Sequence, residues 1–198
     1  MNLLTFSGVY RLKGFQFLVY HKVSQVKAGG EDLTDFERYV AEYSRELTRF
    51  CVKLCGDVHD AEDLFQDTWA RALDKFDQYD QSSSFKSWLF TICANLFRNS
   101  KKLKYNSSKA VFSSKEEKEK FLNSIPDRET DVDAYLDLYA AILSLPKKHR
   151  LVLVLYYFRE FSQSEIARML DIPEGTVKSR LNTAKKLLKR RLYDEETQ

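Results

Sequence analysis

The sequence predicts an all-α protein of two small helical domains joined by a flexible linker, the C-terminal one a helix-turn-helix. Three observations carry this. Glycine (6) and proline (3) are scarce in 198 residues, so the turn signals that a many-stranded sheet needs are missing. Apolar residues recur at three- and four-residue spacing over 33–103 and again over 132–193, the period of an amphipathic helix. Between them, residues 104–131 are polar and lysine-rich, with Pro126 near the end, a linker composition. Residues 1–32 form a mixed aromatic and basic extension ending in Ala28-Gly29-Gly30.

In the first patterned stretch, Phe36, Tyr39, Val40, Tyr43, Leu47, Phe50 and Leu54 form one apolar stripe, ended by Gly56. A second helix is expected from Asp60 as N-cap, with Asp63 at the third helical position. Ala61, Leu64, Phe65, Thr68, Trp69 and Ala72 form its inner face. After the polar break Tyr79 to Ser84, a third helix runs from about Phe85 to Lys102, with Trp88, Leu89, Ile92, Leu96 and Phe97 apolar and a basic end. The second stretch predicts helices at Ala134 to Leu145, Lys147 to Phe158, Ser162 to Leu170 and Glu174 to Leu192. Ser162 and Glu165 have the spacing of a capping box. Val177, Leu181, Ala184 and Leu188 face inward on the last helix.

Composition limits the function. Hydrophobic residues make up 43% and aromatic residues 14% of the chain, enough for real cores. The net charge of +3 argues weakly for nucleic acid, so the distribution of charge matters more. Cys51, Cys55 and Cys93 form no disulfide framework, which fits a reducing, cytoplasmic home. No apolar run suits a bilayer, and Arg11, Lys13 and Gln16 break up the leader, so no signal peptide is expected. No nucleophile–base grouping, phosphate-cradling glycine loop or paired carboxylate stands out, so the chain is not expected to be an enzyme or to need a cofactor. Cys51, Cys55 and His59 would share one face of a continuous helix and could ligate a metal. Gly56 is expected to end that helix first, which favours buried thiols and no metal.

Three features bear chemistry. The pair of helices 162–170 and 174–192 has the short helix, tight turn and long basic helix of a helix-turn-helix. No acid appears between Glu174 and Asp194, and the first turn offers amides and a positive dipole end to phosphate. The bland alternative is a basic hairpin that merely packs. Asp60, Glu62, Asp63 and Asp67 form an acidic strip that suits a basic partner, or a solvated helix face favoured by the dipole. Phe85, Trp88, Phe90 and Phe97 beside a basic helix end suit unstacked bases, or are core. The serine-rich loop before them suits a flipped base, or is only a connector.

Taken together, these strings resemble a known family. The run Asp60 to Trp69 is similar to the signature helix of sigma domain two. The run Glu174 to Leu181 looks like the recognition helix of sigma domain four. Phe85-Lys86-Ser87-Trp88-Leu89 with Asn95 resembles the segment between them. In this order the chain resembles the extracytoplasmic-function group of bacterial sigma factors. The resemblance covers roughly 33–103 and 132–192, and the linker leaves no room for a third sigma domain.

The resemblance implies a specificity subunit for RNA polymerase core that directs promoter recognition and melting, controlled by an anti-sigma factor that is often a membrane protein. Asp60, Glu62, Asp63, Gln66 and Asp67 would bind the clamp helices of the polymerase beta-prime subunit, with the beta subunit also in contact. Asp80, Gln81, Ser82, Ser83, Ser84, Lys86, Trp88 and Asn95 would capture the minus-ten element, with Arg98, Lys101 and Lys102 on its backbone. Thr176, Lys178, Ser179, Asn182 and Thr183 would face the minus-thirty-five element, with Arg180, Lys185 and Lys186 on phosphates. No homo-oligomer is expected. Asn99 stands where many relatives carry Asp, and Thr183 where Arg is frequent, so a relative's promoter sequence does not carry over. The rival reading is a self-sufficient dimeric repressor or activator. A third is a helical sigma mimic that titrates an anti-sigma factor, which the basic last helix opposes.

Overall fold

The computed structural model describes residues 32–100 and 132–194. Most of the expected extension and all of the expected linker lie outside the described residues, as do Lys101 and Lys102. Among the described residues there are seven α-helices and no strand. In chain order they are α1 (Asp32–Cys55), α2 (Val58–Asp74), α3 (Phe85–Asn99), α4 (Val132–Ser144), α5 (Lys147–Arg159), α6 (Gln163–Leu170) and α7 (Glu174–Asp194). A short 3₁₀ turn, Phe76–Gln78, follows α2.

The first half is a three-helix unit. α1 buries Phe36, Leu47, Phe50 and Leu54 of its apolar stripe, with Cys51 buried beside them and Tyr39, Val40 and Tyr43 half-buried. Gly56 then takes φ +78°, the left-handed conformation that commonly stops a helix. The same residue admits α4, because a Cβ there would lie 2.9 Å from both terminal carbons of Leu143. α2 begins three residues earlier than the sequence suggests. Gly56 turns the chain at once, and Asp57, in extended backbone, becomes the N-cap in place of Asp60. Its Oδ1 accepts from the amides of His59 (2.9 Å) and Asp60 (3.0 Å). His59 is therefore on a different helix from Cys51 and Cys55. Cys51 instead faces Cys93 of α3 with the sulfurs 3.7 Å apart, both fully buried. The buried Thr68 satisfies its hydroxyl on the Leu64 carbonyl at 2.6 Å.

The second half contains the expected helix-turn-helix. Ser162 and Glu165 complete the capping box of α6: the Glu165 amide donates to Ser162 Oγ at 3.2 Å, and the Ser162 amide to Glu165 Oε2 at 2.8 Å. α6 ends on Asp171 at φ 51°, and the Ile172 amide returns to the Ala167 carbonyl at 3.1 Å. Pro173 then carries the first free turn of α7, its carbonyl accepting from Thr176 and Val177. Ile166, Leu170, Val177, Leu181 and Ala184 are buried between the two helices and α5.

The two halves are packed against one another. One apolar cluster runs from Phe36 in α1 to Ala184 in α7. α5 lies at its centre, with six consecutive residues, Arg150 to Leu155, buried. It touches α6 and α7 of its own half and α1 and α3 of the other. A helix buried all round needs no amphipathic face, and the run Leu151-Val152-Leu153-Val154-Leu155 has none.

Two stability measurements check this account. Gly56→Ala is expected to cost about 2 kcal/mol in denaturant unfolding, since an L side chain is disfavoured at positive φ and would press on Leu143. Ser162→Ala should cost about 1 kcal/mol. Hydrogen bonds from the Ser162 hydroxyl and amide hold the Glu165 carboxyl below its ordinary 4.5. A depressed folded value stabilises above 4.5 and is lost as pH falls through it. The advantage of the wild type over Glu165→Gln should therefore shrink on acidification.

Candidate nucleic-acid interface

Helix α2 separates two chemistries by its period. Ala61, Leu64, Phe65, Thr68, Trp69 and Ala72 are buried. Glu62, Asp63, Gln66 and Asp67 are exposed on the other side, with Asp60 half-buried in the first turn. The five residues expected to meet core polymerase thus share one helix, four of them presented to solvent. The fixed N-terminal dipole favours acids at that end.

The loop that follows is tied down by hydrogen bonds at Asp80, Ser82, Ser83 and Ser84. Asp80 Oδ1 accepts the Ser82 amide at 2.9 Å, and Oδ2 accepts the Ser82 hydroxyl at 2.8 Å. The backbone and hydroxyl of Ser83 both donate to the Asp80 carbonyl, at 2.9 and 2.7 Å. The two bonds from Ser82 hold the Asp80 carboxyl below its usual range. The Tyr79 hydroxyl donates to the Ser83 carbonyl. Ser84 closes the loop as N-cap of α3 through the Ser87 amide, at 3.4 Å. Asp80 to Ser84 remain exposed, so a polar edge is held rigid and open to a partner.

Beneath this loop lies an aromatic cluster. Phe85 stacks on Tyr39 with centroids 3.8 Å apart and planes at 5°. Trp88 leans on Tyr79 (4.9 Å) and Phe85 (5.4 Å) and is only half-buried. A rigid ring with one side open is a stacking surface for a base. Sequence reasoning placed Tyr39 and Tyr43 only in the α1 stripe and gave Tyr79 no role. The signal was present in the aromatic density of 36–43 and 76–88, but the pairing of α1 with the loop is tertiary.

The other expected minus-ten residues are placed differently. Lys86 is half-buried, its ammonium 2.9 Å from Glu46 Oε1 of α1. Asn95 is half-buried, with Oδ1 enclosed and without a hydrogen-bond partner. Arg98 donates from Nη1 to the carbonyl of Leu170, the last residue of α6. Thus two of the cations expected on DNA are engaged within the protein.

On α7, Lys178, Ser179, Asn182, Thr183, Lys185 and Lys186 are exposed, and Thr176 and Arg180 half-buried. The Ser179 hydroxyl donates to the Thr176 carbonyl at 3.0 Å and the Thr183 hydroxyl to the Ser179 carbonyl at 2.9 Å. Both oxygens keep acceptor capacity toward a base edge. His149, given no role from sequence, has Nδ1 3.2 Å from the Arg180 carbonyl. Lys185 lies 5.5 Å over the ring of Tyr157 on α5, and a hydrogen bond to that residue raises its pKa. Tyr157, missed in the sequence, therefore sets where Lys185 points.

An acidic helix face, an aromatic-backed loop and a basic helix-turn-helix thus stand on one chain. Sigma-70 region 2 matches residues 39–104 and Sigma-70 region 4 matches residues 135–188. The chain is 32% identical over 187 residues to the ECF RNA polymerase sigma factor SigW of Bacillus subtilis, covering 90% of this chain and 99% of that one. It is 33% identical to the ECF sigma factor EcfG of Rhodopseudomonas palustris, over 74% of this chain and 79% of that one. The chain belongs to the ECF RNA polymerase sigma factors. Its fold is similar to that of the sigma factor RpoE solved with the anti-sigma factor NepR from Bartonella quintana, at a TM-score of 0.62 and 27% identity, over 80% of this chain and 96% of that one. CnrH, solved with the cytosolic domain of CnrY, shares the fold at a TM-score of 0.56 and 23% identity, over 86% of this chain and 94% of that one. Among the described residues no helix is long and apolar enough to cross a membrane.

The loop geometry has a direct check. Asp80→Ala removes the acceptor for both Ser82 donors. Hydrogen exchange of the Ser82 amide should quicken severalfold, while the global unfolding midpoint stays near that of the wild type.

Proposed function

We propose that this chain binds core RNA polymerase through the exposed acidic face of α2 and delivers it to a two-part promoter. The face of Glu62, Asp63, Gln66 and Asp67, with Asp60 at its start, docks a basic helical surface such as the clamp helices of the beta-prime subunit. The Asp80 to Ser84 loop and Trp88 receive unpaired bases of the minus-ten element, whose stacking and hydrogen bonding offset part of the cost of melting. On α7, Lys178, Ser179, Asn182 and Thr183 read base edges of the minus-thirty-five element, and Arg180, Lys185 and Lys186 follow the phosphates. Held on polymerase, the second contact becomes intramolecular and two weak surfaces bind as one. An anti-sigma factor holds the chain silent, as suggested by a similar sigma factor solved with such a partner. The chain acts as a specificity factor and carries out no catalysis of its own.

The observation that carries this reading is the recognition helix. Its exposed face is polar and basic along its length, with no acid between Glu174 and Asp194.

The first test is binding of the purified chain to core polymerase. One-to-one binding is expected, weakened at least about tenfold by Asp63→Arg, which sets like charge against a basic partner. A folded chain that ignores core and binds DNA alone as a dimer would instead be a repressor. A second test separates the two kinds of contact on α7. Asn182→Ala should cost about 1–3 kcal/mol in promoter binding by the holoenzyme and relax specificity at one base pair. Lys186→Ala should weaken all sequences alike and reduce the salt slope by about one.

A further inference from the structure

The three cysteines of the chain gather in one place, although they are far apart in sequence. Cys51 and Cys55 stand one turn apart on α1, and Cys93 comes from α3, 42 residues beyond Cys51. The Cys51 and Cys93 sulfurs are 3.7 Å apart, and neither residue is exposed. Cys55, the last residue of α1, is half-buried, and of the three it is the one that solvent reaches. It lies within electrostatic range of both Cys51 and Cys93.

The surroundings hold the buried pair face to face. Cys51 follows Phe50, and Cys93 stands one turn after Phe90. Those two rings meet edge to face at 5.0 Å and fix how α1 and α3 approach. A disulfide needs its sulfurs at about 2.05 Å, so this pair has little distance to close. Burial pushes the Cys51 and Cys55 thiols well above their ordinary range, and at Cys55 the cations Arg150 and Lys147 pull the other way. The thiolate is the reactive form, so the cluster reacts slowly and stays reduced until an oxidant is in excess.

We propose that Cys51 and Cys93 are a reversible disulfide site, oxidised by hydrogen peroxide through Cys55. The Cys55 sulfur attacks the peroxide, the O–O bond breaks, and a sulfenic acid and one water result. The Cys93 thiol attacks that sulfenic sulfur, which forms the Cys55–Cys93 disulfide and releases a second water. Cys51 then attacks the Cys93 sulfur. The bond to Cys55 breaks, and its electron pair and the Cys51 proton pass to Cys55, which is a thiol again. In sum two thiols become one disulfide, and one peroxide becomes two waters. The bond ties α1 to α3 around the whole of α2 and constrains the unfolded chain over 42 residues. The acidic face of α2 and the Asp80 loop lie within that span but on the outside, so both keep their shape. The oxidised chain is therefore harder to unfold and still binds core. The thiol chemistry does not depend on the sigma reading; only the core-binding readout does.

The test treats the purified full-length chain with hydrogen peroxide and follows its thiols by alkylation and mass spectrometry, with and without dithiothreitol. A Cys51–Cys93 crosslinked peptide is expected, with Cys55 still open to alkylation and the bond reversed by the reductant. Cys55→Ser should form the same bond at least about tenfold more slowly. Cys51→Ala should stop at the Cys55–Cys93 disulfide, and Cys93→Ala should leave a sulfenic acid on Cys55 that dimedone traps. Far-UV circular dichroism checks that each variant is folded. The thermal midpoint of the oxidised wild type should rise by about 5 °C or more, with core binding unchanged. Three thiols that survive peroxide in the folded chain, or a disulfide that appears only in urea, overturn the site. Equal rates in wild type and Cys55→Ser overturn the entry role of Cys55. A midpoint that does not rise, or core binding lost on oxidation, overturns the stabilising role. A reduced chain that never binds core overturns the sigma reading, and the thiol result still stands.

Discussion

The burial on all sides of the middle of α5, Arg150 to Leu155, is the constraint from which the rest of the structure follows. Five aliphatic residues in a row, Leu151 to Leu155, leave water entirely, at roughly 1.5–3 kcal/mol each before entropy is counted. No single partner can cover a helix that is apolar all round. α6 and α7 cover it within its own half, and α1 and α3 supply the remaining cover. The helix-turn-helix therefore sits where it does because α5 needs a second surface, and α3 meets α6 for the same reason.

That demand decides which charged groups are available. Arg150 is almost fully buried, its Nη1 on the Leu143 carbonyl at 3.1 Å and its guanidinium over the Phe97 ring at 5.7 Å. Lys53, lying 4.9 Å over the Phe158 ring, has its pKa lowered to about 8, first by burial and then by Arg159 and Arg49. Cations enclosed at this interface find aromatic faces, helix-end carbonyls and the Glu46 carboxylate. The acids of α2 and the cations along α7 stay outside it. The molecule thus keeps the acidic face of α2 and the basic face of α7 in water, while Arg98 and Lys147 bond helix-end carbonyls across the two halves.

Much of the candidate site was legible because it lies on single elements. The acidic face of α2 and the basic face of α7 follow from a 3.6-residue period, which sorts Glu62, Asp63, Gln66 and Asp67 away from Leu64, Phe65 and Trp69 without any tertiary knowledge. The capping box at Ser162 is equally local. The N-cap of α2 was placed at Asp60 because the left-handed turn at Gly56 was not used to count forward to Asp57. The Asp80 turn followed a readable signal, Asp and Ser two residues apart, but only its hydrogen bonds reveal that the loop is rigid.

The sequence alone determined the helices, their inner faces, the turn chemistry at Gly56 and Ser162, and the family, because each depends on contacts within a few residues. It did not determine that Tyr39 would back the Phe85 ring, that Tyr157 would hold Lys185, or that Glu46 would meet Arg159 across 113 residues of chain. Those pairings are set by how α5 is covered. A run that is apolar on every side specifies that it must be buried, while leaving open which helices do the burying. The tertiary structure made that choice, and with it fixed which of the chain's cations remain in water.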